Sequence, residues 1–157
     1  GYWSRGLGDV YKRQLIDNTR TPFTDIAKRL LISAGTVHVR VKKMEEAGLI
    51  KGSSLTLDYN KMGYSFIAYV GIYLEKTHQT KYVLERLKEI PYVTVAHITT
   101  GKFNIYCKVR AKTTEHAKEI IFKIDDIDGI LRTETMISLE ESINDKKRLM
   151  HTIFNDL

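Results

Sequence analysis

The sequence lacks the features that mark secreted and membrane-spanning proteins. It has one cysteine, Cys107, in 157 residues, so no disulfide can form within the chain and a disulfide-stabilised scaffold is excluded. No run of about 18 apolar residues is present to span a bilayer, and no apolar segment resembles a secretory signal. We therefore expect a cytoplasmic protein that has no membrane partner.

A recognisable catalytic constellation is also missing. The sequence has no Walker loop or dinucleotide fingerprint, and its five histidines show no ligand spacing: His38, His78, His97, His116 and His151. Cys107 lies on the apolar side of an alternating strand, a position more typical of a small buried hydrophobe than of a nucleophile. We predict no enzymatic activity, no cofactor and no metal site, although an enzyme remains the competing class because fold alone does not decide activity.

Positive charge is concentrated at one end of the chain. The formal net charge is +6, and residues 1–52 contribute +5 of it from 10 Lys and Arg against 5 Asp and Glu. The other 105 residues contribute only +1. A phosphate backbone rewards such placement through counterion release, so the sequence predicts that residues 1–52 contact nucleic acid.

Residues 24–47 predict two short helices joined by a tight turn. The first has Thr24 as its N-cap and four apolar residues on one face, which are Ile26, Ala27, Leu30 and Leu31. Ser33 is a good N-cap for the second helix, whose apolar stripe is Val37, Val41 and Met44. This arrangement is typical of a helix-turn-helix, in which the second helix enters the major groove of DNA.

The face opposite that apolar stripe is the candidate DNA-binding surface. Ser33 would cap the recognition helix, and the first amides of that helix would hold a phosphate. Thr36, His38 and Val39 would approach base edges, with Gly35 beside them. Phosphates would be contacted by Arg40, Lys42, Lys43 and Lys51. A left-handed Gly48 would end the helix, and residues 49–52 would enter a wing; a protein-interaction helix-turn-helix is the alternative.

The remaining patterns divide the chain further. Residues 1–14 show no helical or strand period and have the character of a non-native cloning or adapter sequence. Residues 15–52 form the predicted winged helix-turn-helix, and residues 53–65 a linker with a strand at Leu55–Leu57. Residues 66–142 form a second domain, and residues 143–157 a helical tail in which Ile143, Met150 and Phe154 share one side.

The second domain has the element order βαββαβ, the ferredoxin-like split unit of the α+β class. Strands are predicted at 66–74, 92–99, 103–110 and 131–139, and helices at 82–90 and 114–124. The third strand alternates, with Phe103, Ile105, Cys107 and Val109 on one face. Helices cover only one face of such a sheet, so we expect a second copy to cover the other in a homodimeric α/β sandwich.

Together these blocks resemble the Lrp/AsnC, or feast/famine, family of transcription regulators. The residues that carry the resemblance are Arg20–Ala27, Ser33–Val41, Glu45–Gly52, Val95–Asn104 and Asp128–Ile130 with Thr133 and Thr135. The resemblance implies a homodimer paired through the ferredoxin-like domains, often assembled into octamers, that grips double-stranded DNA. It also implies a small-molecule effector, commonly an amino acid, near the glycine turn, at Thr100, Gly101, Phe103, Asn104, Thr133 and Thr135.

One departure from the family pattern concerns the effector. The family usually has aspartate where this chain has Asn104, and an amide cannot supply the charge that holds an ammonium group. The ligand would then differ, bind weakly or be absent, and Gly101 could be an ordinary hairpin glycine. The alternative function is an effector-sensing or oligomerisation protein that does not bind DNA.

Overall fold

The computed structural model describes residues 14–156, so the predicted non-native segment lies outside the described residues except for Gln14. Two compact units are present. The N-terminal unit contains the described residues up to Thr56 together with the tail from Ile143, and the C-terminal unit is Leu57–Ser142. The tail thus groups with the helix-turn-helix, and Nε2 of His151 lies 3.0 Å from Oδ1 of Asp17. No helix among the described residues is long and apolar enough to cross a membrane.

The predicted helix-turn-helix is present in the N-terminal unit. Residues 14–17 are helical, and helices α1 (Phe23–Leu30) and α2 (Ala34–Glu46) follow, separated by a three-residue turn. Their buried side chains form one core, which consists of Ile26, Ala27, Leu30, Val37, Val41 and Met44. The stripe predicted for α2 is therefore confirmed, and its burial fixes which face of α2 is turned outward.

Both helices end in a Schellman motif, in which a left-handed residue follows the helix. After α2 this residue is Gly48, with φ of 76°, and the amides of Gly48 and Leu49 donate to the carbonyls of Glu45 and Met44. After α1 the same position is taken by Leu31, with φ of 56° and a side chain that is 92% exposed. The prediction that Leu31 belongs to the core is therefore wrong.

Two further predictions for this unit are corrected. Helix α1 begins at Phe23 with Pro22 as its N-cap residue, so Thr24 lies inside the first turn and does not cap it. Among the described residues, none between Glu46 and Phe66 is in a strand, so the strand predicted at Leu55–Leu57 is wrong. The physical reason is that Leu55 and Leu57 are both exposed, so no buried face supports a strand there. The amides of Leu49 and Ile50 both donate to the carbonyl of Met44, so these two amides are not available to a wing strand.

The C-terminal unit has the predicted βαββαβ order. Its elements are β1 (Phe66–Leu74), α3 (Thr80–Lys88), β2 (Val93–Ile98), β3 (Ile105–Ala111), α4 (Thr114–Asp125) and β4 (Ile130–Ile137), with a 3₁₀ turn at Thr77–Gln79. The four strands form one antiparallel sheet in the order β2-β3-β1-β4. Thr113 caps α4, because its side chain accepts the amide of His116.

Both helices of this unit pack on one face of the sheet. On β3, Ile105, Cys107, Val109 and Ala111 are buried in a core with Val83 and Leu87 of α3 and Ala117, Ile120 and Ile124 of α4. We call the opposite side, which presents Tyr69, Tyr106 and Lys108, the open face. A last helix, α5 (Lys147–Asp156), begins after Ile143, so the predicted stripe of the tail holds only for its later members.

Replacing Leu31 by glycine should stabilise the N-terminal unit. A left-handed backbone costs an L-residue roughly 1–2 kcal/mol, which glycine avoids, and the greater freedom of glycine in the unfolded chain offsets part of this. We expect Leu31→Gly to raise the opening free energy of α1 and α2 amides in native-state hydrogen exchange by about 0.5–1 kcal/mol. Leu31→Ala is the control, because it keeps the Cβ and should give no gain; equal gains would disprove strain at this position.

The thiol of Cys107 should be inert in the folded protein. Burial raises the pKa of this thiol to about 12, so the thiolate is scarce at neutral pH and the sulfur is inaccessible to reagents. We expect a disulfide reagent at pH 8 to label Cys107 at least about 100-fold more slowly in the native protein than in denaturant. Native labelling at the rate of a free thiol would disprove this environment.

Candidate functional site

The first candidate site is the outward face of α2. Ser33 caps the helix as predicted, because its Oγ accepts the amide of Thr36 at 3.1 Å and lies 2.7 Å from the Thr36 hydroxyl. A Cβ placed on Gly35 would meet only Ser33 Oγ, at 3.9 Å. The start of α2 is therefore small, open and polar, which allows a backbone to approach it closely.

The side chains along the helix differ in how they are placed. His38 leans toward the start of α1, where its ring centroid lies 5.9 Å from that of Phe23. Val39 and Lys42 are exposed, and Arg40 is half-buried. Lys43 is exposed and interacts with another group of the protein. Lys51 is exposed beyond the end of the helix. The surface therefore offers a polar start, an apolar patch at Val39 and a cationic end.

The second candidate site surrounds the predicted glycine turn, residues 99–104, between β2 and β3. Gly101 has φ of 89°, and Thr99 Oγ1 donates to the carbonyl of Phe103 at 2.8 Å. Asn104 fastens the turn to β1, because its Oδ1 accepts the amide of Leu74 at 2.9 Å and its own amide donates to the carbonyl of Ile72. The side-chain oxygen of Asn104 is thus already committed to the backbone of the sheet.

Phe103 lies on the open face, so the prediction that it shares a face with Ile105 and Cys107 is wrong. Its ring lies against the backbone of Gly71 in β1, where an added Cβ would come within 2.4 Å of it. The ring also contacts Tyr73 and Tyr106, with centroids 5.2 and 5.9 Å away. The reason is that the amide of Leu74 donates to the side chain of Asn104 and not to a backbone carbonyl of the neighbouring strand. The regular ladder, and with it the alternation of faces, is therefore interrupted before Ile105.

A charged cluster adjoins this aromatic surface. The Tyr73 hydroxyl donates to Glu134 Oε1 at 3.0 Å, and Lys102 Nζ lies 3.3 Å from Glu134 Oε2. The Arg132 guanidinium lies 4.1 Å above the ring centroid of Tyr73. The hydrogen bond from Tyr73, aided by the charges of Lys102 and Arg132, lowers the pKa of Glu134. Hydrogen bonding to Tyr73, and secondarily the interaction with Glu134, raises the pKa of Lys102, so both groups are charged at neutral pH.

The six predicted effector residues do not converge on one point within the chain. Four lie in the glycine turn, which are Thr100, Gly101, Phe103 and Asn104. Thr133 and Thr135 pair with Ile72 and Val70, whose side chains belong to the helix-covered core. Thr133 Oγ1 donates to Oδ1 of Asp125 in α4 at 2.7 Å. The two groups are therefore on opposite sides of the sheet.

Several residues of the open face were not predicted as site residues from the sequence, namely Gly71, Lys102, Arg132 and Glu134. A signal existed for Gly71, since a glycine inside an apolar strand often marks the close approach of another group. The others carry no local signal, because Lys102 and Glu134 are 32 residues apart. Among the described residues no group of three or more His, Cys, Asp or Glu could hold a metal ion.

Family models match both units. The model described as the Lrp/AsnC ligand binding domain matches residues 67–147, and a model described as winged helix-turn-helix DNA-binding matches residues 13–51. The first match covers about half the chain and contains the sheet and the glycine turn. The second contains both helices of the helix-turn-helix.

Relatives and solved structures agree with these matches. The chain is 37% identical over 132 residues to regulatory protein AsnC of Haemophilus influenzae, covering 83% of this chain and 88% of that protein. The structure of E. coli AsnC has a TM-score of 0.86 at 33% identity, covering 89% of this chain and 95% of that one. A feast or famine regulatory protein from M. tuberculosis, complexed with L-methionine, has a TM-score of 0.79 at 22% identity, covering 89% and 95%. The chain belongs to the Lrp/AsnC family of DNA-binding transcription regulators.

Proposed function

We propose that this protein acts as a dimer that reads a pseudo-palindromic DNA site and responds to an amino acid, and that it acts in the cytoplasm without a catalytic role. The observation that carries the DNA-reading part is α2 itself. Burial of Val37, Val41 and Met44 leaves a polar, then cationic, face outward at the second helix of a helix-turn-helix. Such a helix is placed in the major groove, and two-fold symmetry spaces two half-sites by about one helical turn or a multiple.

The residues of this face have different proposed roles in DNA recognition. The amide of Thr36 is taken by Ser33 Oγ, which leaves the amides of Ala34 and Gly35 to hold a phosphate at the positive end of the helix dipole. Base edges would be read by Thr36, His38 and Val39. Arg40, Lys42, Lys43 and Lys51 would contact phosphates, which set affinity and register without carrying sequence information.

Dimerisation is proposed through the open face. The stacked rings of Tyr69 and Tyr106 have centroids 5.9 Å apart, and Met136 of β4 is exposed beside them. Aromatic residues and methionine are enriched in protein interfaces. We therefore propose that the sheet of a second copy packs against this face. We further propose that dimers assemble into larger particles such as octamers, which light scattering would detect.

The effector is proposed to bind at the glycine turn. Thr100, Gly101, Phe103 and Asn104 would contribute from the turn, and Thr133 and Thr135 from the other side of the sheet, so that the site is completed between protomers. The M. tuberculosis neighbour was solved with L-methionine, which supports an amino acid as the class of ligand. Asn104 offers such a ligand only a neutral amide.

Selection of genomic DNA fragments at two salt concentrations, with and without a pool of amino acids, tests the whole proposal. Enriched pseudo-palindromes with steep salt dependence are expected, together with a shift in affinity caused by one or more amino acids. A protein that is dimeric by light scattering but enriches no sequence would instead be an effector-sensing or oligomerisation protein.

Removing one lysine from α2 should weaken binding to all DNA sequences alike. Lys42→Ala, and likewise Lys43→Ala, is expected to flatten the slope of log affinity against log salt by about one unit, because one fewer counterion is released. Lys123→Ala, in α4 of the C-terminal unit, removes the same charge and is the control. An unchanged slope for the α2 variants would remove these lysines from the DNA contact.

Restoring a carboxylate at position 104 should strengthen the response to amino acids. In Asn104→Asp one oxygen can still accept the amide of Leu74, while the added charge favours an ammonium group. We expect roughly fivefold tighter binding of a responsive amino acid, about 1 kcal/mol, by calorimetry. Asn104→Ala, which loses the hydrogen bond to Leu74, should abolish the response. Equal binding by the asparagine and aspartate proteins would place the ligand elsewhere.

A further inference from the structure

Arg110, near the end of β3, holds a segment of chain that precedes the sheet. Its side chain is only 13% exposed. Its Nη1 donates to the carbonyl oxygen of Tyr64 at 2.8 Å and lies 3.5 Å from Oδ1 of Asn60. Its Cζ lies 5.3 Å from the ring centroid of Tyr59. One guanidinium therefore contacts three residues of a single short segment.

That segment, residues 58–64, is folded on itself, and we call it the linker loop. The amide of Tyr64 donates to the carbonyl of Tyr59 at 2.8 Å, and the amide of Met62 to that of Asp58 at 3.2 Å. Gly63 has φ of 87°, a conformation that glycine adopts at no steric cost. The linker loop is thus an ordered turn that Arg110 fastens to the sheet as a unit.

A second segment is fastened to the same part of β3. Glu141, which follows β4, accepts a hydrogen bond from Nζ of Lys108 at 3.2 Å, and its other oxygen lies 4.0 Å from Nη2 of Arg110. The side chains of Lys108 and Glu141 are 22% and 28% exposed. Lys108 and Arg110 are two residues apart on one face of β3, so their side chains lie side by side.

These two segments are where the chain passes between its compact units. The C-terminal unit begins at Leu57 and ends at Ser142. The linker loop begins one residue after Leu57, and Glu141 comes one residue before Ser142. Arg110 therefore contacts both connections to the DNA-binding unit at one point of the sheet. Arginine suits this position because its planar, always charged fork donates in several directions at once.

We propose that Arg110 is a positioning residue for DNA recognition. By holding both connections at one point, Arg110 limits the range of positions that the DNA-binding unit can reach. It thereby sets which half-site spacings the dimer accepts. This inference rests on the proposed function, because it requires a dimer that reads paired half-sites. A loosened connection lowers the effective concentration of the second DNA-binding unit at its half-site.

The test is Arg110→Met in the full chain, which keeps the length of the side chain and removes its donors and charge. Two quantities are measured, the hydrogen exchange of the linker-loop amides and the affinity for duplexes with paired half-sites at a series of spacings. We expect exchange at Met62 and Tyr64 to rise at least about tenfold, and the preference for the best spacing to fall by about tenfold. Affinity for a single half-site should not change, which a general loss of folding would not produce.

Arg86→Met is the matched control. Arg86 lies in α3 of the same unit and pairs with Glu89 at 2.7 Å on the surface, so both readouts should match the unmodified protein. Glu141→Gln is a second variant, which should raise exchange after β4 while it keeps the shape of the side chain.

Three outcomes would overturn the inference. Unchanged exchange in the linker loop would show that Arg110 does not hold it, and an unchanged spacing preference would show that holding it has no effect on DNA. A monomeric Arg110→Met protein by light scattering would give Arg110 an interface role instead. If the unmodified protein has no preference for paired half-sites, the proposed function itself fails; a preference that survives in Arg110→Met overturns the role of Arg110 alone.

Discussion

The missing side chain at Gly71 is the constraint on which the open face of the C-terminal unit depends. A Cβ at this position of β1 would lie 2.4 Å from the Phe103 ring, so any other residue would displace the ring. Gly71 is paired with Tyr106 on one side and with Glu134 on the other. The glycine turn, the aromatic surface and the charged cluster therefore meet at one point of the central strand, and a change at any of them reaches the others through short contacts.

The parts of the fold that could be predicted are those in which local periodicity reflects burial. Strand β1 was predicted at residues 66–74, the bounds that it has in the structure, and the alternation predicted for β3 is confirmed from Ile105 to Arg110. The predicted alternation fails at Phe103, two residues before Ile105. There the side-chain oxygen of Asn104 accepts the hydrogen bond of the Leu74 amide, which ends the regular ladder between the two strands. The prediction for Leu31 failed because helical spacing does not show where the helix has ended and the backbone has become left-handed.

Side-chain partners that are distant in sequence could not be predicted. Tyr64 and Arg110 are 46 residues apart, and Lys108 and Glu141 are 33 apart. Periodicity assigns each of these residues to a face, but it does not say which residue of another segment lies opposite. Helix α2 is the contrasting case, because Ser33, the apolar stripe and the exposed Lys42 and Lys43 all lie within residues 33–44. The cap, the buried stripe and the outward face of this one helix were therefore predictable, whereas the charged cluster and the Arg110 contacts were not.

The distribution of charge gives a physical reason for using two units. Residues 1–52 carry a net charge of +5, which favours contact with phosphates but makes two copies of this region repel each other. The C-terminal unit, Leu57–Ser142, carries 12 Lys and Arg against 12 Asp and Glu, a net charge of zero, so two copies of the sheet can approach with little repulsion. At physiological salt the repulsion between basic regions is screened beyond about 8 Å. Self-association through the nearly neutral unit therefore costs little electrostatic energy, while the basic surface stays available to attract DNA.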